Sequence, residues 1–156
     1  METQAVDRTL ITNLTGDIDI GQQHEEDNIL VRDVTKRTIK VNSTVVHLTL
    51  EKCKEVHLEV NQPPISGIID LNDCENCELT INTSVRLVGI TNSTASELHY
   101  GDNSFFFRVH TKGSKHTTVC LPDACNLIPA NKADETLIAE LTADGNIKTA
   151  PMQTSE

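Results

Sequence analysis

Apolar and polar residues alternate in short runs between residues 28 and 121, and the runs recur at offsets of 19 to 21 residues. Each repeat has one alternating run, a polar turn and a second alternating run. Aligned on one another, the first runs give two apolar columns: Ile29, Leu48, Ile69, Val88, Phe107 and Val31, Leu50, Leu71, Ile90, Val109. The second runs give Ile39, Leu58, Leu79, Leu98, Val119 and Val41, Val60, Ile81, Tyr100, Leu121. A third, single column contains Val45, Ile65, Val85 and Phe105.

The residues between the paired columns are mostly polar, as at Thr49, Asp70 and Arg108. Because side chains on a strand alternate between its two faces, the columns face inward and these polar residues face solvent. A strand repeat of about 20 residues is typical of a stacked solenoid. The pattern therefore predicts an all-β fold, a parallel β-helix of about five rungs, each rung being one repeat. A sandwich of short strands also alternates, but it gives no reason for five aligned repeats.

Three segments follow from this register. Residues 1–23 form a lead-in or edge segment, residues 24–122 form the β-helix, and residues 123–156 contain a loop, a hairpin and a tail. Pro122 closes the last strand because it has no N–H for a ladder hydrogen bond. The hairpin turns at Asp144-Gly145 and lies outside the repeat. An isolated hairpin is barely stable in water, so we expect another surface to cover it.

Composition limits the class of protein. A chain of 156 residues is long enough for one domain with a sizeable core, and three Phe, one Tyr and no Trp make that core aliphatic. The formal charge of −10 argues against a nucleic-acid partner. No apolar run is long enough to span a membrane, and Met1–Leu10 lacks the apolar stretch of a signal segment. We expect a soluble, cytoplasmic protein without a membrane partner.

The five cysteines are the first candidates for chemistry. An odd number argues against a disulfide framework. Cys74 with Cys77, and Cys120 with Cys125, have spacings that zinc ligands can adopt. In the repeat register, however, Cys53 and Cys74 share an inward column, where cysteine behaves as a small hydrophobic residue. The core role is favoured over a zinc site.

Motifs for catalysis are absent from the sequence. It contains no Ser-His-Asp constellation, nucleophile elbow, phosphate-binding loop or dinucleotide fingerprint. Asp70 and Arg108 share an outward column two rungs apart, roughly 9–10 Å at normal strand spacing, which is weak support for a sugar-cleaving β-helix. Five histidines are scattered over different columns without metal-ligand spacing: His47, His57, His99, His110 and His116. We expect no catalytic residue, no metal site and no cofactor.

Three stretches resemble a known family. They are Ile39-Lys40-Val41-Asn42, the segment from Leu48 to Val56 that reads LTLEKCKEV, and the segment from Ser66 to Leu71 that reads SGIIDL. Together with an apolar-Pro ending at Leu121-Pro122, they are similar to the actin-binding C-terminal domain of cyclase-associated protein. The resemblance covers about residues 28–147 and includes the hairpin.

The resemblance implies a right-handed β-helix that forms a homodimer by exchanging the C-terminal hairpin. The apolar face of that hairpin would be supplied by Leu137, Ile138, Leu141 and Ile147. It also implies a cytoskeleton-associated protein, not an enzyme, that binds monomeric actin, prefers the ADP form, sequesters monomers and promotes nucleotide exchange. The short form of the family, consisting of this domain alone, fits the sequence, and a fragment of a longer member is the other interpretation.

Candidate actin-binding residues are the charged outward residues of the two rungs that match the family most closely. They are Glu51, Lys52, Lys54, Asp70 and Asp73. The alternative family is the tubulin-cofactor C type, a related β-helix that acts on a small GTPase through a glutamine-x-arginine signature. That signature is missing, because Gln62 is followed by Pro63-Pro64.

Overall fold

A computed structural model describes residues 9–152 of the chain as an all-β solenoid. Its strands form two sheets, and the first twelve strands alternate between them, giving six turns of a coil. The strands are β1 (Thr9–Ile11), β2 (Ile18–Ile20), β3 (Asn28–Arg32), β4 (Thr38–Val41), β5 (His47–Glu51), β6 (His57–Val60), β7 (Ile68–Asn72), β8 (Glu78–Ile81), β9 (Leu87–Thr91), β10 (Glu97–Tyr100), β11 (Arg108–Lys112), β12 (Thr117–Leu121), β13 (Ala124–Ile128), β14 (Thr136–Leu141) and β15 (Ile147–Pro151).

The first sheet has the order β1-β3-β5-β7-β9-β11-β14-β15, and the second has the order β13-β12-β10-β8-β6-β4-β2. All pairs from β1 to β12 are parallel. At the C-terminal end the pairing changes, because β13, β14 and β15 are each antiparallel to their neighbour. The predicted parallel β-helix is therefore confirmed, with antiparallel strands closing one end.

The core lies between the two sheets and consists of the inward columns. In the first sheet, Leu48 pairs with Ile69 and Leu50 pairs with Leu71, and all four side chains are fully buried. In the second sheet, the predicted register holds through all five rungs, up to the pairing of Leu98 with Val119. Aliphatic side chains of similar size stack from rung to rung, so each turn buries the apolar face of the next.

The predicted register fails in the fifth rung of the first sheet. Val88 pairs with Val109 rather than Phe107, and Ile90 pairs with Thr111. Phe107 is 53% exposed. The physical reason is a single 3-10 turn at Asn103–Phe105, which lengthens the connection between β10 and β11 and shifts the offset from 19 to 21 residues. The aromatic residue that the alternation placed in the core therefore lies on the surface.

Two further predictions of orientation are corrected. In the third column Ile65 is 57% exposed, while Pro64 is buried in its place, and Phe106 rather than Phe105 pairs with Val85. Thr49, predicted to face solvent, is buried on the outer side of β5. The turns between the second and first sheets vary in length, so alternation within a strand does not extend through them.

The N-terminal strands lie in the predicted lead-in, residues 1–23. β1 pairs in parallel with β3, and β2 pairs in parallel with β4, so each is the edge strand of one sheet. Ile20, opposite Val41, is fully buried and extends an inward column by one turn. Residues 1–8 of the lead-in and residues 153–156 of the predicted tail lie outside the described part of the chain.

Tight corners connect each strand of the first sheet to the next strand of the second. The corners after β3, β5, β7, β9 and β11 each have left-handed backbone at two positions three residues apart, and most of these positions are not glycine. The pairs are Asp33 and Lys36, Lys52 and Glu55, Asp73 and Asn76, Asn92 and Ala95, and Gly113 and His116. Backbone N–H groups at these corners donate to carbonyl oxygens of neighbouring rungs, as from Lys52 to Asn72 at 2.9 Å. The hydrogen-bonding needs of these turn residues are therefore met by the next rung.

The C-terminal hairpin of β14 and β15 packs on its own chain. β14 pairs antiparallel with β11, and Ala139 is buried opposite Val109. Leu137, Leu141 and Ile147 pack against the core. Ile138 follows Leu137 on the strand and therefore lies on the opposite face, beside His110. The cover that the hairpin needs is supplied by the edge of the first sheet.

The prediction against a disulfide framework does not extend to one pair of cysteines, whose spacing in the sequence indicates only possible zinc ligands. β13 folds back antiparallel on β12, which places Cys125 directly opposite Cys120, and the two form a disulfide. The spacing of five residues fits a strand, a two-residue turn and a return strand. The odd count excluded a complete disulfide framework, but it could not exclude one bridge with three free thiols.

Candidate functional site

The predicted actin-binding residues occupy two places in the fold. Glu51, Lys52, Lys54 and Asp73 surround the corners that follow β5 and β7, and we call them the corner surface. Lys52 and Asp73 hold the same left-handed position on successive rungs, so their side chains project side by side. Lys52, Lys54 and Asp73 are exposed, and Glu51 is half-buried. The turn geometry explains the exposure, because the residues between them on each corner face inward.

Ion pairs run along the corner surface from rung to rung. Arg32 Nε donates to Glu51 Oε1 at 3.0 Å, and Lys54 Nζ lies 4.0 Å from Glu75 Oε1. The Arg32–Glu51 pair is partly buried, whereas the Lys54–Glu75 pair is solvent-exposed, and exposed pairs contribute little to stability. The corner surface therefore presents charges of both signs that are available to a protein partner.

Asp70 lies apart from the corner surface. It projects outward from the middle of β7, and its Oδ2 is 2.8 Å from His47 Nε2. The other ring nitrogen, His47 Nδ1, is 3.3 Å from Ser66 Oγ. Ser66, His47 and Asp70 thus form one hydrogen-bonded chain, although the sequence contains no recognisable Ser-His-Asp motif. The 21-residue offset between these repeats could have predicted the contact, because it places His47 beside Ile68, between Ser66 and Asp70.

A cleft of about 610 Å³ opens beside this chain of side chains. We call it the arginine cleft, and it is lined by Ser66, Ile68, Arg86, Leu87, Phe107, Arg108 and His110. The sequence missed it because Phe107 was assigned to the core. The column assigned to Arg108 also changes. Because the register of β11 is shifted by two residues, His110 rather than Arg108 shares the outward column of Asp70. The weak sugar-cleaving signal from Asp70 and Arg108 in one column is therefore wrong.

His110 has a perturbed environment at the edge of the arginine cleft. Burial, and then the positive charge of Arg108, lower the pKa of His110, and Glu140 opposes them. The His110 Nε2 atom is buried without a hydrogen-bond partner in the part of the chain that the structure describes. The neutral imidazole is therefore favoured in the folded protein.

One group of side chains on the second sheet could ligate a metal. The ligating atoms of Glu78, Glu97 and His99 lie within 4.8 Å of one another. Glu78 and Glu97 are opposite each other on β8 and β10, and His99 Nε2 lies 3.3 and 3.1 Å from their carboxylates. The pairing of β8 with β10 thus brings His99 beside two glutamates, although the histidines show no metal-ligand spacing in the sequence. Imidazole and carboxylate suit zinc, but His99 alone already bridges the two acids.

The three free thiols are in the core, as predicted. Cys53, Cys74 and Cys77 are buried, with Cys53 and Cys74 on one inward column. The hydrogen bonds that the Cys74 thiol donates to Cys53 and Cys77, followed by burial, raise the pKa of Cys74. The interpretation of these cysteines as core residues is confirmed by their burial.

The family model of the C-terminal domain of adenylate cyclase-associated protein (CAP) matches residues 4–153. The chain belongs to the CAP C-terminal family. This family is known for actin binding, and its C-terminal domain is a binding domain rather than a catalytic one. No curated protein sequence gives a significant match to this CAP C-terminal domain. Among residues 9–152, no helix has the length and hydrophobicity needed to cross a bilayer.

A solved structure shows the same fold as this CAP C-terminal domain. The crystal structure of cyclase-associated protein from Cryptosporidium parvum superimposes with a TM-score of 0.70 over 97% of this chain and 93% of that chain. The two sequences are 16% identical, so the match concerns the fold alone. It agrees with the β-helix that the repeat predicts.

Proposed function

We propose that this CAP C-terminal domain binds actin monomers, prefers their ADP form, sequesters them and promotes nucleotide exchange. It would thereby regulate filament turnover as a cytoplasmic, cytoskeleton-associated protein. The observation that carries the proposal is the family match across residues 4–153. The rigid two-sheet scaffold supports it, because stacked rungs give an extended surface for a large protein partner.

The corner surface is the proposed contact for actin. Its charged residues lie on successive rungs, about 5 Å apart, and they remain accessible to solvent. Asp70, the fifth predicted residue, has its carboxylate engaged by His47, so we expect it to contribute less. A mixed-charge surface favours orientation and association rate more than affinity.

We also propose a homodimer in which β14 pairs with β11 of a second copy. The contacts would be those that the hairpin makes within one chain, including Leu137, Leu141 and Ile147 against the core. Exchange of an identical element between two copies needs no new interface. Ile138 faces away from that core, so its part in the dimer would lie beside His110.

Replacing Glu51, Lys52 and Lys54 together by alanine tests the corner surface. We expect the folded variant to bind fluorescent ADP-actin at least tenfold more weakly than the parent, equivalent to about 1.4 kcal/mol. The matched control replaces Glu25, Lys40 and Lys112, which are exposed elsewhere and give the same change of net charge. Equal affinity of both triple variants and the parent, with unchanged circular dichroism, would exclude this surface.

The nucleotide preference and the exchange activity need separate measurements. Titration of the parent against ADP-actin and ATP-actin should give tighter binding to the ADP form. Release of a fluorescent nucleotide from actin should accelerate at substoichiometric amounts of the domain if it promotes exchange. Slower release, with monomers withheld from polymerisation, would indicate sequestration alone.

A further inference from the structure

The hydrogen bonds around His47 have a defined direction. The N–H of Ile68 donates to Ser66 Oγ at 3.1 Å, so the hydroxyl hydrogen is free to point elsewhere. The Asp70 carboxylate can only accept, so His47 Nε2 carries the hydrogen that bonds to it. His47 Nδ1 is then the unprotonated nitrogen in the neutral ring, and it accepts from Ser66 Oγ. The hydrogen bonds thus run in the direction expected for a nucleophile (Ser66), a base (His47) and an acid that orients the base (Asp70).

Regular strands hold this arrangement. His47 begins β5, and Asp70 is the third residue of β7, so both are fixed by parallel pairing in the first sheet. Gly89, opposite Asp70 on β9, leaves room for the carboxylate, since a Cβ there would be 2.7 Å from Asp70 Oδ1. The orienting acid is thus seated by the backbone beside it, which is the support that a precise site requires.

The turn after Ser66 brings a cation to the same place. Gly67 has a φ of +78°, and a Cβ on it would be 2.8 Å from Arg86 Cδ. Only glycine allows both the turn and the close passage of the arginine side chain. Ser66 and Arg86 line the arginine cleft together with the apolar side chains of Leu87 and Phe107. Ser66 therefore borders a space with positive charge and apolar walls.

We propose that Ser66 is an activated nucleophile, with His47 as its general base, that cleaves carboxylic esters whose acyl group carries a negative charge. Arg86 would bind the negative charge of the acyl group, and the apolar wall would contact its methylene groups. Asp70 is a positioning residue, because it acts by fixing the tautomer and orientation of His47. This activity goes beyond actin binding and does not use the corner surface; of the residues predicted to bind actin, it involves Asp70 alone.

The reaction balances with water as the second reactant. Ser66 Oγ forms a bond to the ester carbonyl carbon while its proton moves to His47 Nδ1. The bond from that carbon to the leaving oxygen breaks, and the leaving oxygen takes the proton from His47. Water then attacks the acyl carbon and gives one proton to His47, the bond from that carbon to Ser66 Oγ breaks, and the free acid is released. The proton returns to Ser66 Oγ, and no electron is gained or lost overall.

The probe is the mono-4-nitrophenyl ester of succinic acid, with neutral 4-nitrophenyl butyrate for comparison. We expect release of 4-nitrophenol by the full chain, faster with the anionic ester. Peptide mass spectrometry after rapid quenching in acid should find a succinyl group on Ser66. A full chain in which Ser66 stays unmodified and the probe is not consumed above background overturns the proposal. Modification confined to lysines overturns it as well.

Variants assign the roles. Ser66→Ala should abolish the signal, while Ser84→Ala, at an exposed serine in a different turn, should retain it. His47→Ala should slow acylation about 100-fold, and added imidazole should restore part of the rate. A structural role for His47 would give no rescue by imidazole. Arg86→Gln should lower the rate with the anionic ester to about the rate with the neutral ester and so remove the preference between them.

The role of Asp70 has a spectroscopic test. In the parent, ¹⁵N shifts of the His47 ring should report hydrogen on Nε2. Asp70→Asn offers an amide donor to that nitrogen, so the hydrogen should move to Nδ1 and Ser66 acylation should fall. An unchanged tautomer with an unchanged acylation rate would show that Asp70 does not position His47.

Discussion

Arg108 and Glu140 lie directly opposite each other on the antiparallel strands β11 and β14. Arg108 Nε and Nη2 both donate to Glu140 Oε2, at 3.0 and 2.7 Å. The pair joins the solenoid to the hairpin that would be exchanged in a dimer. Changing the two charges can therefore show whether a hairpin covers the sheet of its own chain or that of a second copy.

Charge reversal at this pair separates a dimer with exchanged hairpins from one without. Arg108→Glu and Glu140→Arg should each weaken the contact, because like charges then face each other. If the hairpins are exchanged, a co-refolded mixture of the two variants forms heterodimers in which both ion pairs are restored. We expect native mass spectrometry to show more heterodimer than the statistical half. A statistical mixture, or monomers only, would contradict exchange.

Leu71 tests the register of the core. It is fully buried and stacks on Leu50, so Leu71→Asp places an unpaired charge between the sheets. We expect a loss of more than about 4 kcal/mol or complete unfolding. Ser84→Asp makes the same change of charge at an exposed turn and should change stability by less than about 0.5 kcal/mol. Similar urea midpoints for the two variants would show that the column is misassigned.

A ladder of asparagines follows the ends of the second-sheet strands. Asn61 Nδ2 donates to Asn42 Oδ1 at 2.8 Å, and Asn82 Nδ2 donates to Asn61 Oδ1 at 2.9 Å. Asn61→Asp removes a donor and places a carboxylate beside Glu59; because the ladder bonds are solvent-exposed, we expect a loss of about 0.5–1.5 kcal/mol. Asn42→Asp keeps the acceptor and should be nearly neutral. Equal urea midpoints for the two variants would show that the ladder is not directional.

The thiol count tests the disulfide. Denatured without reductant, the protein should expose three reactive thiols, those of Cys53, Cys74 and Cys77, and five after reduction. Because Cys120 and Cys125 enclose a short loop, reduction should lower the free energy of unfolding by only about 2 kcal/mol. Five thiols before reduction would mean that β12 and β13 are held by backbone pairing alone.

His110 makes stability depend on pH. Its pKa in the folded protein is lowered below the ordinary value of 6.5, so the unfolded chain binds its proton more readily. The contribution to stability is full at higher pH and is lost as the pH falls from about 6.5 through the lowered pKa. We expect His110→Gln to show a smaller decrease in melting temperature between pH 7.5 and 5 than the parent. Parallel profiles would remove His110 as the cause.

Much of the fold could be predicted because the core is repetitive. Residues such as Leu58, Leu79 and Leu98 recur at nearly constant offsets, and a strand pattern of period 2 allows one inward assignment. The prediction failed at Phe107, where a 3-10 turn changed the offset. Hydrophobicity alone favoured burial of that side chain, and no local residue marks the added length.

Less of the candidate site could be predicted. The corner residues Lys52 and Asp73 follow directly from the register, which is why the structure brings them together. The contacts of His47 with Ser66 and Asp70 depend on side-chain rotamers across two rungs, and sequence order separates them by 19 and 23 residues. Chemistry assembled across a sheet leaves no contiguous motif in the sequence.

The strands at the C-terminal end affect whether another molecule can add a rung to the coil. A parallel solenoid with bare final strands could accept a further rung from another molecule and grow into a fibre. Here β13 and β15 are the outermost strands of that end; β13 runs against the direction of the coil, whereas β15, which is antiparallel to the reversed β14, runs with it. β15 also carries Lys148 and ends at Pro151, which cannot donate a hydrogen bond to an added strand. The reversed β13, together with Lys148 and Pro151 on β15, therefore disfavours the addition of a further parallel rung at this end.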